Sequence, residues 1–308
     1  MPDLPPHCRL EASLPDAAGD YFAPERESLA QYLDLVPDSL DPSEGDAAVG
    51  PVFSLPWIYV ADLTGWRGSS LARLLAADAG CPCYQLSTSA RDSVPTLWAI
   101  LDESAAGPVV LHVQLRGDTG PVPPTLREAV NRGFERPGTE DEEAISGEPA
   151  NVLVVFTDTS PSKRLDAPLP DSTTPLTGAV LSYAPRRGML PELPDGTTYL
   201  DDPPAIHDRE DALETLLEQA LADVGSPADR AAFVSAAVET LSITHSLVGK
   251  RDLLFDVSPR AALKYGRLLD EIEPSKAIRH LQTDVVQQVP QTPGSEDLRT
   301  TLRDLFPS

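Results

Sequence analysis

The sequence predicts an α/β protein, with a parallel sheet flanked by helices and then an all-helical C-terminal domain. Three observations predict it. Between residues 57 and 183, short apolar runs alternate with helix-forming segments. This is the pattern of a parallel sheet covered on both faces. Beyond residue 207 the apolar positions fall only at helical spacing. Two Ser-Pro pairs there, Ser226-Pro227 and Ser258-Pro259, open helices with Ser as N-cap and Pro at the first helical position.

The elements follow in order. Residues 1–50 are rich in Pro, Asp and Ser and read as an extended arm. They carry one helix, Glu25 to Val36, with Leu29, Tyr32, Leu33 and Val36 on one face. Trp57 to Ala61 is a short buried strand. The turn Asp62-Leu-Thr-Gly-Trp-Arg-Gly68 follows, and a helix from Ser69 stops at Gly80. Cys83 to Leu86 is the next strand, and Thr96 to Leu101 a short helix. Gly107 to Leu115 is the clearest buried strand. Pro123 to Arg132 reads as a helix, and 138–148 as an acidic, solvated loop. Asn151 to Thr157 and Gly178 to Tyr183 are two more strands. The helical part has segments at 208–223, from 227, from 259, near 275–288 and near 295–305. In the segment from 259, Tyr265, Leu268, Leu269 and Ile272 make one apolar face. The domains are therefore 1–50, 51–205 and 206–308.

The chain has 308 residues, 41% of them hydrophobic, enough for a sizeable core. Its 48 acidic residues outnumber 24 basic ones, for a net charge of −24. The acids are spread along the chain, and the only lysines are Lys163, Lys250, Lys264 and Lys276. Such a surface suits a halophilic cytoplasm, where salt screens self-repulsion. It argues against nucleic acid as a partner, which needs basic stripes. No apolar run reaches the roughly 18 residues of a membrane span, so no membrane partner is expected. The N-terminus lacks the basic start and apolar stretch of a signal peptide, which makes a cytoplasmic location the expectation.

Cys8, Cys81 and Cys83 form no disulfide framework, and Cys81-Pro-Cys83 has the wrong spacing for a zinc knuckle. The five histidines are scattered, so no Ser-His-Asp or metal constellation emerges. His112, inside an apolar strand, reads as a core residue.

A strand, a Gly-containing turn and a helix opening Ser-Ser is the position of a P-loop. Gly65-Trp-Arg-Gly-Ser-Ser-Leu-Ala72 resembles the loop and first helix of MoxR-type AAA+ ATPases, which usually run Gly-Thr-Gly-Lys-Thr-Thr-Leu-Ala. Gly80 to Leu86, Pro123 to Ala129 and the helix Phe233 to Val248 resemble later segments of that family. Ser258-Pro-Arg-Ala261 is the most specific match, and the resemblance covers roughly residues 55 to 275. It implies a P-loop NTPase-like fold with a helical lid. Its implied nucleotide-binding residues are Gly65, Arg67, Gly68, Ser69, Ser70, Thr159 (with Asp158 as a neighbouring alternative) and Arg260. Its implied cofactors are ATP and Mg²⁺.

The sequence departs from the family at the chemistry. Phosphate transfer by such proteins depends on a loop lysine and on acids that hold Mg²⁺. Gly68 stands where the lysine belongs, and Arg67 where the family has glycine. Val109 to Leu115 contains no acid, and Asp118 beyond it is the only substitute for a metal ligand. Efficient ATP hydrolysis is therefore not expected. A non-catalytic scaffold, chaperone or assembly subunit is the leading reading. Its partners would be proteins, such as an active AAA+ paralogue in a homo- or hetero-oligomer, or a von Willebrand A domain protein. Two alternatives stand beside it. One is a divergent active ATPase using Arg67, Ser69, Asp118 and Arg260. The other is an unrelated α/β interaction protein of a viral or mobile-element system.

Overall fold

A computed structural model of the chain describes residues 9–10, 14–33, 57–87, 97, 99–100, 107–115, 135–136, 145–146, 152–159, 178–183, 198–200, 203–250, 257–291 and 295–306. The expected helix at 123–132, Asp118, most of the acidic loop and Cys8 lie outside them. The chain divides into two compact units. One holds residues 24–183 and 187–202 with the first 13 residues. The other holds 14–23, 184–186 and 203–308.

The chain-order elements of the first half are β1 (Arg9–Leu10), α1 (Asp16–Tyr21), α2 (Ala23–Leu33), β2 (Trp57–Ala61), α3 (Trp66–Asp78), β3 (Cys83–Ser87), β4 (Val109–Leu115), β5 (Glu135–Arg136), β6 (Ile145–Ser146), β7 (Val152–Asp158), β8 (Gly178–Ser182) and β9 (Thr198–Tyr199). Among the described residues, the first fifty thus include two helices and a strand, where one helix is expected. The two-residue β1 has too short a ladder to leave a periodic signal.

The first unit is built on a seven-stranded sheet in the order β1-β3-β4-β7-β2-β8-β9. All pairings are parallel except that of β1 with β3. Every residue of β2 and β7 is buried, which is why both read as unbroken apolar runs. Helix α3 packs on β4, β7 and β3 through Leu71, Leu74 and Leu75. It ends in a Schellman turn: Gly80 takes φ +64°, and the N–H groups of Gly80 and Cys81 donate to Ala77 and Ala76. Glu135–Arg136, just before the acidic loop, pairs with Ile145–Ser146 inside it as the short antiparallel ladder β5–β6.

The second unit is helical: a 3₁₀ turn at Ile206–Asp208, then α4 (Glu210–Ala220), α5 (Pro227–Gly249), α6 (Pro259–Gly266), α7 (Pro274–Gln288) and α8 (Glu296–Leu305). Helix α1 joins it, with the Ala17 N–H donating to Gln219 at 2.9 Å and the Arg209 guanidinium 4.4 Å above the Tyr21 ring. Ser226 and Ser258 cap α5 and α6 as their Ser-Pro pairs predict, each accepting a first-turn N–H at 3.1 Å.

The helix from 259 is shorter than its apolar spacing suggests. It ends at Gly266, where Leu221 and Phe233 approach so closely that an added Cβ would lie 2.5 Å from Leu221 Cδ1. Leu268 and Leu269 then belong to tight turns. Helix α5 is long and apolar enough to cross a membrane by length and average composition, although no continuous apolar run marks it. Half of that stretch is buried, and α5 packs on α4, α6 and α7.

The described architecture is thus the expected fold class: a parallel α/β sheet with a strand–glycine turn–helix at its centre, and an all-α C-terminal part.

Candidate functional site

In an open parallel sheet, ligands bind beyond the carboxyl ends of the strands, where the connections diverge. Here that point is the end of β2. From β2 the chain crosses β7 and β4 to reach β3, whereas β7 leads to β8 on the other side of β2. The turn after β2 is the Gly65–Gly68 segment, so the resemblance and the topology select the same place.

The turn is organised by a residue that the sequence reading passed over, Asp62. Its own N–H continues the ladder, donating to the Asp158 carbonyl at 3.0 Å. Its side chain is fully buried. Oδ1 accepts from the N–H and the hydroxyl of Thr64, at 3.0 and 2.7 Å. Oδ2 accepts from the N–H of Arg67 at 2.7 Å and of Gly68 at 3.2 Å. Gly65 is the N-cap of α3, with φ +68° and no side chain to offer. Arg67 and Gly68 are the second and third helical residues, whose N–H groups a cap normally receives. Asp62 supplies that cap from three residues upstream, and its charge also suits the positive end of the helix.

Arg67 is buried with it, 2% exposed. Its Nη1 lies 3.5 Å from Asp62 Oδ1, and its guanidinium 4.7 Å from the centre of the Tyr183 ring. The Tyr183 hydroxyl donates to Glu25 of α2 at 2.8 Å. Arg67 is therefore held inward, in contact with the ends of β2 and β8.

Gly68 is fixed by a close approach. A Cβ there would stand 2.1 Å from Thr157 Oγ1 and 2.6 Å from its Cγ2. A Cβ at Gly65 would meet Gln114 Nε2 at 2.9 Å and Thr159 Cγ2 at 3.0 Å. Both glycines let α3 and its turn press onto β4 and β7. Ser69 is half-buried on the first turn of α3, and the buried Ser70 donates back to the Trp66 carbonyl at 2.9 Å.

The expected sensor Thr159 is half-buried, and its hydroxyl donates to the Leu115 carbonyl at 3.2 Å. Its neighbour Asp158 is buried and accepts from the Tyr59 hydroxyl at 2.8 Å. His112 sits inside the sheet, its Nε2 2.9 Å from Thr157 Oγ1. Its Nδ1 has no hydrogen-bond partner among the described residues. Burial, with the Arg73 charge adding, lowers its pKa to about 4. Burial raises the Cys83 thiol to about 12. Arg260 belongs to the helical unit, exposed on the first turn of α6. The structure thus gathers Gly65, Arg67, Gly68, Ser69, Ser70 and Thr159 around one turn of the first unit.

The residues present do not fit the phosphates of ATP. The amides that would receive an anion already receive the Asp62 carboxylate, so a phosphate there meets like charge. A side chain at position 68, the place of the expected lysine, would collide with Thr157. Strand β4 offers His112 and Gln114 but no acid for Mg²⁺. Among the described residues no cluster of His, Cys, Asp or Glu has the arrangement to hold a metal ion.

The site is that of an α/β protein with a P-loop-like turn closed by its own side chains. No family model matches the chain, and no curated protein does. Solved structures do. A single-substitution mutant of Thermotoga maritima RuvB aligns at 13% identity and a TM-score of 0.38, over 92% of this chain and 85% of that one. The Thermotoga maritima RuvB described as a Holliday junction branch migration motor aligns at 15% identity and a TM-score of 0.37, over 91% and 69%. Likeness at this level assigns neither a family nor an activity.

The missed residue had a signal. An Asp at the end of an apolar strand, followed by x-Thr-Gly before a helix, is the signature of a side chain that bonds backbone amides ahead of it.

Proposed function

We propose that this chain is an AAA+-like protein of MoxR type that has lost nucleotide chemistry and serves as a non-catalytic scaffold or assembly subunit. The observation that carries this reading is the Asp62 carboxylate on the Arg67 and Gly68 amides. A working phosphate cradle keeps those donors for the ligand. The absence of a lysine before Ser69 and of an acid in β4 supports the same reading. These groups act together on one phosphate, so losing all of them removes far more than a single factor of ten.

What remains is a rigid fold with a strongly acidic surface. On this reading the partner is a protein: an active AAA+ paralogue in a mixed ring, or a von Willebrand A domain protein. The charge pattern supports a high-salt cytoplasm as its setting.

Thermal unfolding of the purified protein in 2 M NaCl, with and without millimolar Mg-ATP, tests the nucleotide part. The expected result is an unchanged midpoint and no hydrolysis above that of a Gly65→Val control. A saturable upward shift in midpoint, or hydrolysis abolished by Gly65→Val, overturns the reading.

A further inference from the structure

We infer that Asp62 is a built-in plug: its carboxylate occupies an oxyanion seat and holds the turn closed without any nucleotide. The inference rests on the reading of the turn as a former phosphate cradle and deepens it. Four observations converge on it. The Asp62 side chain is fully buried and receives two helix amides, one turn amide and one hydroxyl. Its acceptors face the second and third N–H groups of a 13-residue helix, the groups that cradle anions elsewhere. Arg67, a buried cation, lies 3.5 Å from the same carboxylate. From Arg67 the contacts continue to the Tyr183 ring and, through its hydroxyl, to Glu25.

The plug therefore connects β2, α3, β8 and α2 inside one unit. A nucleotide-binding turn keeps these amides for the phosphates of its ligand. In this chain a covalently attached carboxylate takes the ligand's place, at an effective concentration that no free anion matches.

The inference predicts that a smaller residue opens a seat the size of a carboxylate. In Asp62→Ala, formate or acetate replaces the missing group on the Arg67 and Gly68 amides. The test is the thermal midpoint, followed by tryptophan fluorescence, across 0 to 0.2 M sodium formate. Sodium chloride holds the ionic strength constant. The expected result is a saturable rise of about 3 °C or more in Asp62→Ala and none in the wild type. Asp62→Ser, which keeps an oxygen for the turn, serves if Asp62→Ala does not fold.

Inorganic phosphate and Mg-ATP form the second arm. A rise with either, in the variant alone, also supports the plug and shows that the opened seat takes phosphates. Equal responses of variants and wild type to all anions overturn the inference and leave the non-catalytic reading intact. Nucleotide binding by the wild type overturns that reading instead.

Discussion

The contact between α3 and β7 makes a prediction whose sign separates this structure from an ordinary helix. In a helix interior, Gly→Ala stabilises by about 0.5–1 kcal/mol. At Gly68 the new methyl would lie 2.1 Å from Thr157 Oγ1, 2.6 Å from its Cγ2 and 2.8 Å from its Cβ. Strand β7 is buried along its whole length and lies between β4 and β2, so it has nowhere to retreat. Thr157 is also held by His112 at 2.9 Å. Overpacking costs about 1–3 kcal/mol, and losing the His112–Thr157 bond about 1 kcal/mol more. After subtracting the helix gain, Gly68→Ala destabilises the first unit by roughly 2 kcal/mol. The chain's three tryptophans, Trp57, Trp66 and Trp98, all lie in that unit, so their fluorescence follows its unfolding selectively. The urea midpoint is expected to fall by roughly 0.7–2 M. Adding Thr157→Ala removes the two nearest atoms, so the double variant loses at least about 1 kcal/mol less than the sum of the singles. A Gly68→Ala midpoint equal to or above that of the wild type refutes the close approach, and with it the steric argument against a lysine at this position.

His112 is buried neutral, with a pKa lowered from 6.5 to about 4. The unfolded chain binds its proton first, so stability is lost as pH falls from about 6.5 to about 4. His112→Gln flattens the difference curve in that window, as urea midpoints at pH 7, 5.5 and 4.5 would show. Cys83, buried and raised to about 12, resists iodoacetamide at pH 8 until the first unit unfolds. Mass spectrometry of the alkylated protein at increasing urea checks this. With a net charge of −24, the thermal midpoint rises between 0.1 and 2 M NaCl as screening relieves self-repulsion. A flat or falling midpoint contradicts the high-salt setting.

The sheet was legible because β2, β4 and β7 are buried on both faces and therefore carry continuous apolar runs. The helical part was legible from caps, since Ser226 and Ser258 form the bonds that their Ser-Pro pairs announce. Other features depend on tertiary contact and leave no local trace. The need for glycine at position 266 comes from the approach of Leu221, 45 residues earlier in the chain. At the site, the glycines marked the turn but not their purpose. Gly68 reads as a vacated lysine position in sequence, whereas its structural requirement comes from Thr157 on another strand. Asp62 carried a local signal in Asp-Leu-Thr-Gly65, but its partners are backbone amides, so the sequence named a turn there and not the amides it would bind.

These details converge on the carboxyl edge of the sheet. A site that stabilises a bound or developing anion needs donors aimed at a position that the protein leaves to its ligand. At this edge the Arg67 and Gly68 amides aim at Asp62, the Thr159 hydroxyl at Leu115 and the Tyr59 hydroxyl at Asp158. Each pairing is ordinary alone. Together they leave these donors paired within the protein. Transmitting hydrolysis requires two states that a ligand distinguishes, and donors already paired offer a phosphate little to distinguish them by. The scaffold role proposed above asks only that such an edge hold a surface in one shape.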